Sequence, residues 1–581
     1  MAEFDYNLIR AMAPELLLIG VACVLFLLGV SSKAAARRIA PVLAAAALIF
    51  VFGWQITAED LQTAVADRYH TFRVFEFAVY IKMLAAGVGV LFVLLAWPTN
   101  QQATGNSALD FGPDAGEFFA LMLLSIAGVM LVAGANDMIL LFLGLELASI
   151  PTYILVSISR PLPVAQEAGV KYFFLGAMAA AVMLFGFSYL YGTTGTTSLV
   201  EITGMIASTA GIGTETTTLS PWQQLAVTML VAGFAFKIAA VPLHFYAGDV
   251  YQGAATPITA FLSFVPKASG MVALIKLITV AGGGQWAAPE FLQRLLWVLA
   301  VLTMTVGNVL GLLQFNIKRV LAYSSIAHSG YMLVGLATMS ASRGGMSVRQ
   351  EALEGVLFYL AAYGIMNAAA FGVLMLLPAR PSPGFRPGQQ KVLPATSAET
   401  FEDLAGTGRR HVLLGLAMAI SCFSLIGLPL TVGFFGKLFL IRPALLAATE
   451  GSAQRPWMIW LVVITMINAA ISAAYYLKIV GTMFLRPEPT DADVDEEGAP
   501  VPAATAPAPL VAPFPVVLAI GISAFGTLLF GALMPATEVL SVKAKKSASL
   551  DVPYSAPLAA ETFESAETPA EPEAAAASQP R

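Results

Sequence analysis

The chain has 581 residues, of which 58% are hydrophobic and only 12% are charged, and its formal net charge is −5. Ordinary soluble domains carry roughly 25% charged residues and need polar groups at their surface, so this composition excludes a typical water-soluble fold. The acidic excess is concentrated in residues 491–497 and in the tail from about residue 556, so no basic face for nucleic acid is implied. Cys23 and Cys422 are too few to hold an iron–sulfur cluster.

Long apolar runs recur along the chain, each of a length that can cross the roughly 30 Å hydrocarbon core of a bilayer as a helix. We therefore predict an all-α, polytopic membrane protein with about fourteen transmembrane helices. The predicted spans are 12–30, 39–57, 77–97, 116–134, 136–158, 168–191, 223–243, 255–281, 290–313, 320–340, 354–378, 412–441, 456–482 and 511–535.

Basic residues in the loops predict the orientation of these spans. Lys33, Arg37 and Arg38 follow the first span, so the positive-inside rule places that loop in the cytoplasm. Alternation then places Arg409 and Arg410 on the cytoplasmic side and both termini in the periplasm.

One short motif, Gly-Phe-x-x-Lys, occurs at 233–237 in the seventh span and at 433–437 in the twelfth. A repeat unit of five helices reverses direction in the membrane, which is the inverted-repeat plan of secondary transporters. We predict two inverted five-helix repeats with discontinuous helices 7 and 12. The predicted organisation is helices 1–3 in 1–110, the first repeat in 111–285, the second in 286–486, an acidic Pro/Ala loop in 487–509, helix 14 in 510–537 and a disordered tail in 538–581.

Four ionisable residues, Glu146, Lys237, Lys267 and Lys437, lie deep within predicted spans. A charge at the bilayer centre costs several kcal/mol unless it is paired or hydrated, so these residues predict a site of function. Burial and a nearby carboxylate shift a lysine pKa in opposite directions, so a lysine–glutamate pair can load and release a proton. Glu146 and Lys237 are the expected switching pair, and Lys267 and Lys437 continue the line.

Three further residues are candidate proton relays: His328, His244 and Glu117. Histidine titrates near neutral pH, although His328 is equally consistent with a packing role. Glu117 begins the fourth span and is equally consistent with an interface or a contact to a neighbouring subunit. Lysines near span ends are expected to snorkel to the membrane surface, and these are Lys82, Lys171 and Lys276.

These motifs together resemble the antiporter-like N subunits of respiratory complex I. The matching segments are Glu-Phe-Phe-Ala-Leu at 117–121, Leu-Gly-Leu-Glu-Leu at 143–147, Val-Pro-Leu-His at 241–244, Asp-Val-Tyr-Gln-Gly at 249–253, the run from Asn316 to His328, and Gly-Phe-Phe-Gly-Lys at 433–437. By this resemblance Glu146 is the carboxylate of span five and Lys237 its partner. Lys267 is the central relay, and Lys437 is the distal proton-exchange residue.

The resemblance implies a multi-pass protein of the bacterial inner membrane that helps to translocate protons during electron transfer from NADH to quinone. NADH, FMN, iron–sulfur clusters and quinone are then held by other subunits, with no cofactor or metal in this chain. Its expected partners are the adjacent antiporter-like and small membrane subunits and the lipid bilayer. A subunit of a multi-subunit cation/proton antiporter shares the same charged core, and a membrane scaffold is the third possibility. The motif at 249–253 favours complex I.

Overall fold

The computed structural model describes residues 6–31, 34–57, 71–97, 114–160, 162–209, 217–284, 287–341, 348–377, 398–449, 455–488 and 512–548. Within these ranges the secondary structure is helical. Three isolated β-bridges connect segments next to helix ends, at Phe72–Ala135, Asp137–Ser198 and Asn316–Thr400. The acidic loop beyond residue 488 and the tail beyond residue 548 lie outside the described residues.

The helices are numbered here in chain order. They are α1 (Tyr6–Ala11), α2 (Ala13–Gly29), α3 (Ala34–Thr57), α4 (Glu76–Leu95), α5 (Ala115–Gly134), α6 (Met138–Ile158), α7 (Pro163–Thr194), α8 (Leu199–Ala207), α9 (Pro221–Lys237), α10 (Ala247–Gly253), α11 (Thr256–Ala281), α12 (Glu290–Leu312), α13 (Ile317–Ala341), α14 (Val348–Leu376), α15 (Phe401–Leu404), α16 (Thr407–Arg410), α17 (Val412–Ile426), α18 (Val432–Thr449), α19 (Arg455–Phe484), α20 (Phe514–Ala532) and α21 (Met534–Ala548).

The protein is an all-α polytopic membrane protein. Among the described residues, eleven helices are long and apolar enough to cross a membrane. The number rises to twelve if the segments 401–410 and 412–426, which meet at a bend of 119°, form one span. Three predicted spans are not single long helices: α2 has only 17 residues, and the runs 223–243 and 412–441 are each interrupted.

Both interruptions lie beside a predicted proton-carrying lysine. Helix α9 ends at Lys237, and residues 238–246 separate it from α10. Helix α17 ends at Ile426 and is followed by Gly427, whose left-handed φ of 91° is a conformation that glycine adopts without steric cost. Each break also holds a non-glycine residue with positive φ, Ala239 at 56° and Leu430 at 70°. Such conformations are costly and persist only where the surrounding packing enforces them.

The core of the molecule lies around α11, α13 and α14, whose apolar stretches are almost wholly enclosed by other helices. Helices α7, α19 and α20 lie at the periphery and expose apolar side chains such as Phe174, Phe185 and Trp460. An exposed apolar face of this kind is suited to lipid or to neighbouring membrane subunits. Polar groups that carry function are therefore expected along the three enclosed helices.

The disordered tail predicted for 538–581 begins too early. Helix α21 extends to Ala548 and packs against the helix bundle. Lys546 pairs with Glu76 at 3.0 Å, and Ser541 donates a hydrogen bond to Glu354 at 2.6 Å. The sequence Val-Lys-Ala-Lys-Lys reads as a solvated stretch, but tertiary partners for its polar groups stabilise it as a helix.

Candidate functional site

Glu146 and Lys237 form an ion pair in the interior of the helix bundle. Glu146 lies in the third turn of α6, and Lys237 is the last residue of α9. Lys237 Nζ donates to Glu146 Oε1 at 2.8 Å and to Ser149 Oγ at 2.8 Å. The lysine side chain is 2% exposed and the glutamate 15%, so the carboxylate has more room to move or hydrate than the amine. The predicted switching pair is therefore a direct contact.

The break after α9 places the Lys237 amine at the negative end of the helix. A cation in the last turn of a helix is favoured by the helix dipole, typically by 0.3–1 kcal/mol at exposed sites. The break itself is anchored, since Val241 N–H donates to Thr303 Oγ1 at 3.1 Å and Tyr246 donates to the Phe236 carbonyl at 2.9 Å. Protein side chains thus satisfy the Val241 N–H within the break and the Phe236 carbonyl at the end of α9, where membrane interiors offer no water to do so.

Lys267 lies in the middle of α11, immediately after Pro266, and is 3% exposed. Its amine donates to both the backbone carbonyl and the hydroxyl of Ser325 in α13. The Ser325 hydroxyl also hydrogen-bonds to that of Tyr251 at 3.1 Å. Lys267 therefore links α11 to α13 through hydrogen bonds.

A small cavity separates Lys237 from Lys267. Both lysines line it together with Tyr246, Tyr251 and Ser325, and it has room for about one water molecule. A water there would have the several polar partners that buried waters need. Both lysines therefore border one cavity, whose lining includes polar residues such as Ser325 and apolar ones such as Leu262.

His328, one turn after Ser325 on α13, continues the polar line. Its Nδ1 lies 2.5 Å from the Tyr359 hydroxyl, and its Nε2 lies 3.0 Å from that of Tyr476. Tyr476 in turn hydrogen-bonds to the Ser324 hydroxyl. The imidazole is 1% exposed and has hydroxyl partners on both nitrogens, so either tautomer can be accommodated.

Lys437 ends this line in the second half of the chain. Its amine reaches back across the break and donates to the carbonyls of Leu425 at 3.0 Å and Ile426 at 2.7 Å, the last residues of α17. It also lies 4.8 Å from the centre of the Tyr331 ring, which is one turn after His328 on α13. Lys437 has no carboxylate partner among the described residues, unlike Lys237.

The structure brings together five of the seven predicted site residues and leaves two apart. His244 lies in the break between α9 and α10 and is 8% exposed. Glu117 begins α5 and packs against Gly29 at the end of α2. Among the described residues, neither forms a hydrogen bond with Glu146, Lys237, Lys267 or Lys437. No group of three His, Cys, Asp or Glu side chains in the described ranges is placed to hold a metal ion.

The expectation that Lys82 and Lys276 snorkel to the surface is wrong. Lys82 is 1% exposed and lies 2.7 Å from Glu15, which the sequence reading did not single out. Lys276 is 8% exposed and donates to the Ala135 carbonyl. Lys171 alone of the three is substantially exposed, at 45%, and pairs with Asp249 at 3.1 Å. The missed signal was Glu15, an acidic residue inside the first apolar run.

Tyrosine and serine side chains also line the candidate site, although the sequence analysis assigned none of them a role. Tyr251, Ser325, Tyr359 and Tyr476 supply the hydroxyls between the charged groups. They were not detectable because a hydroxyl in an apolar run is common and costs little to bury when hydrogen-bonded.

Comparisons with known proteins identify the family. Residues 135–473 match the family described as NADH:quinone oxidoreductase/Mrp antiporter, TM. NADH-quinone oxidoreductase subunit N of Trichlorobacter lovleyi is 37% identical over 454 residues, which cover 78% of this chain and 81% of that relative. A chain of respiratory complex I from Thermus thermophilus with bound aureothin has a TM-score of 0.67 at 27% identity, covering 92% of this chain and 99% of that chain.

A chain of the Mrp complex from Dietzia sp. DQ12-45-1b has a TM-score of 0.71 at 20% identity and covers 94% of this chain and 98% of that chain, which shows a common fold. Sequence identity is higher to the subunit N proteins, and it extends over most of their length. The motifs, the fold and these relatives agree. This chain therefore belongs to the subunit N family of NADH-quinone oxidoreductase, the antiporter-like, proton-translocating membrane subunits of respiratory complex I.

Proposed function

We propose that Glu146, Lys237, Lys267 and Lys437 carry the protons that this subunit translocates, with His328 as the relay between the last two. The observation that carries this proposal is the line of polar groups along α13. Ser325 accepts hydrogen bonds from Lys267, His328 lies one turn further along α13, and the Tyr331 ring lies next to the Lys437 amine. A chain of groups that can each accept and donate a proton is what stepwise transfer requires.

Glu146 acts in this scheme as the switch. While it pairs with Lys237, the ammonium form is favoured. When the carboxylate moves or hydrates, the buried amine tends to release its proton towards the cavity shared with Lys267. The greater exposure of Glu146 supports its role as the moving partner.

Lys437 is proposed as the proton-exchange residue of the second half. It lies beside the break at residues 427–431, where freed backbone groups favour a polar, hydrated environment. His244 and Glu117 stay predicted relays, since among the described residues no hydrogen bond links either of them to this line. For Glu117 a contact with a neighbouring membrane subunit is the alternative.

We further propose fourteen spans, obtained by adding α2, the broken α9–α10 and the broken α17–α18 to the eleven long helices. Two inverted repeats, 111–285 and 286–486, are supported by matching helix neighbours. Helix α5 packs on α6 and α11, as α12 packs on α13 and α19. Likewise α6 packs on α7, as α13 packs on α14. The remaining proposed segments are 1–110, 487–509, 510–537 and 538–581, the last disordered only beyond α21.

The proposed setting is the bacterial inner membrane, with adjacent antiporter-like and small membrane subunits as partners. The relatives are named as subunits of NADH-quinone oxidoreductase, so electrons are proposed to pass from NADH to quinone elsewhere in the complex. NADH, FMN, iron–sulfur clusters and quinone would be held by those other subunits. This chain would contribute proton transfer alone.

Substitution of Lys237 tests the proposed function. Lys237→Ala removes the proton carrier, and Lys237→Arg keeps the positive charge but does not release its proton. We expect both variants to lower proton pumping at least about tenfold, since positioned proton-transfer groups contribute on the order of 10²–10⁴. Pumping is measured in inverted membrane vesicles and normalised to assembled complex by NADH–ferricyanide activity. Parental pumping by the arginine variant would contradict proton loading at Lys237.

A further inference from the structure

A second buried pair of opposite charges, Glu15 and Lys82, lies outside the line described above. Lys82 Nζ of α4 lies 2.7 Å from Glu15 Oε1 of α2, and each side chain is 1% exposed. The Glu146–Lys237 pair has a separation of 2.8 Å and exposures of 15% and 2%. The second pair therefore has the same chemistry as the first and is more deeply buried.

Helix ends from three further parts of the chain enclose this pair. Lys82 Nζ lies 4.7 Å from the centre of the Phe72 ring, and Phe72 forms a β-bridge with Ala135 just after α5. Lys276 of α11 donates to the carbonyl of Ala135, the residue that bridges to Phe72. Three ionisable side chains thus converge where α5 and α11 end and where α2 and α4 begin.

Stability alone gives little reason for such a pair. The cost of removing two charges from water can exceed their attraction, and apolar replacements of similar volume are often neutral or stabilising by 1–4 kcal/mol. Ionisable residues within membrane spans face the bundle interior and mark proton or ion pathways. Glu15 and Lys82 have no link in the described residues to the Lys267–His328–Lys437 line, so that line does not account for them.

We propose that Glu15 and Lys82 form a second proton-transfer site of this subunit, on the membrane side where α5 and α11 end. The inference rests on the proposed proton-carrying function and extends it to helices α2 and α4. A hydronium ion gives its proton to the Glu15 carboxylate and leaves as water, and the Lys82 ammonium then releases its own proton to a second water, which becomes hydronium. Transfer of the proton from the Glu15 carboxyl to the Lys82 amine restores the starting pair. One proton has moved and no charge is left behind.

Lys276 has a positioning role in this scheme. A positive charge on Lys276 disfavours a further positive charge on the neighbouring pair, so proton uptake by Glu15 promotes proton release from Lys82. Its bond to the Ala135 carbonyl fixes it at the end of α5, next to the pair. The Glu15–Lys82 pair therefore holds one transferable proton at a time, because the charge of Lys276 disfavours a second.

The test compares a neutral pair with an exchanged pair in the assembled complex. Glu15→Gln/Lys82→Met removes both proton-carrying groups without leaving an uncompensated charge, which single substitutions would do. Glu15→Lys/Lys82→Glu keeps both groups and their pairing. We expect the neutral pair to assemble and to lose proton pumping at least about tenfold, and the exchanged pair to pump better than the neutral one. A neutral pair that assembles and pumps with a smaller loss overturns the inference.

Two further variants complete the design. Glu290→Gln/Arg294→Met neutralises an exposed pair, 67% and 64% exposed, and should leave pumping unchanged. If the neutral pair fails to assemble, Lys82→Arg decides, because arginine keeps the ion pair but not proton release. Parental pumping by Lys82→Arg overturns the inference, and loss of pumping supports it. Lys237→Ala is measured in parallel: its loss of pumping beside a fully active neutral pair refutes this inference alone, whereas its parental pumping refutes the proposed function itself.

Discussion

Lys237 and Lys437 show how two residues of the same type obtain different surroundings. Lys237 pairs with a carboxylate, whereas Lys437 donates to the carbonyls of Leu425 and Ile426 and lies over an aromatic ring. The carboxylate favours the charged amine strongly, while carbonyl dipoles favour it more weakly. Lys237 is thereby suited to hold a proton and Lys437 to exchange one.

Lys437 is tested by separating its hydrogen bonds from its titration. Lys437→Gln can still donate to a carbonyl at the end of α17 but carries no exchangeable charge, and Lys437→Met removes both properties. We expect both variants to lose pumping at least about tenfold at equal levels of assembled complex. The measurement is proton pumping in inverted vesicles. Parental pumping by the glutamine variant alone would show that Lys437 serves only to cap α17.

At the scale of the element, the proposed site depends on where helices begin and break. Asp137 caps α6 by accepting from Ile139 N–H at 2.8 Å and from Leu140 N–H at 3.3 Å, and Thr197 donates to its other oxygen at 2.5 Å. This cap fixes the helix that carries Glu146 nine residues later. The breaks after α9 and α17 in turn place the amines of Lys237 and Lys437 at the ends of those helices.

Removing the α6 cap should weaken the complex. Asp137→Ala loses the side-chain cap, which costs about 1 kcal/mol, and leaves Thr197 without its acceptor. We expect the purified variant complex to dissociate at a lower temperature than the parent, which native electrophoresis of heated samples would show. Asp137→Asn is the matched control because asparagine caps about as well as aspartate. Equal losses in the two variants would indicate that the charge, rather than the cap, is required.

At the scale of the whole molecule, a cluster of charges joins the two halves of the chain. Glu399 lies 2.8 Å from Arg160 and 3.1 Å from Lys318, and Lys318 also donates to the Ala254 carbonyl at 2.8 Å. Burial favours a raised pKa for Glu399, but the Lys318 and Arg160 cations outweigh it and hold the pKa below its usual 4.5. The stabilisation that these ion pairs give the fold is therefore present at neutral pH and is lost as the pH falls below 4.5 and Glu399 becomes protonated.

Glu399→Gln tests this cluster. The substitution leaves two buried cations facing each other, and breaking such a pair costs about 3–5 kcal/mol. We expect the variant complex to dissociate at lower temperature at pH 7, and the difference from the parent to shrink as the pH falls below about 4.5. Thermal dissociation measured between pH 7 and pH 4 checks both statements. A difference that is independent of pH would contradict an electrostatic origin.

The proposed topology is tested by labelling. Single cysteines at Thr218, before α9, and at Arg410, before α17, are both at exposed positions. Fourteen spans with two inverted repeats place Arg410 in the cytoplasm and Thr218 in the periplasm. A membrane-impermeant maleimide should label the cysteine at Arg410 only in inverted vesicles and the cysteine at Thr218 only in right-side-out vesicles. Labelling of both from one side would refute the inverted repeats.

Local features of the sequence were enough to predict the fold class and the charged residues of the proposed site. Apolar runs of membrane length and isolated charges within them are local features, and the bilayer gives each a single physical interpretation. The same reasoning predicted that α9 and α17 end beside lysines. It failed for Lys82 and Lys276, because position along a span does not show whether a side chain faces lipid, water or another helix.

The Glu146–Lys237 pair was predicted, but the tertiary structure was needed to find the Glu15–Lys82 pair and the surroundings of Lys437. The two Gly-Phe-x-x-Lys motifs lie on opposite sides of their helix breaks, at the end of α9 and at the start of α18. Sequence equivalence therefore did not place the two lysines alike; Lys437 reaches the end of α17 by folding back across its break. Glu15 and Lys82 are 67 positions apart and meet because α2 and α4 both pack on α5. Pairing across helices depends on packing, which the local pattern of a sequence does not encode.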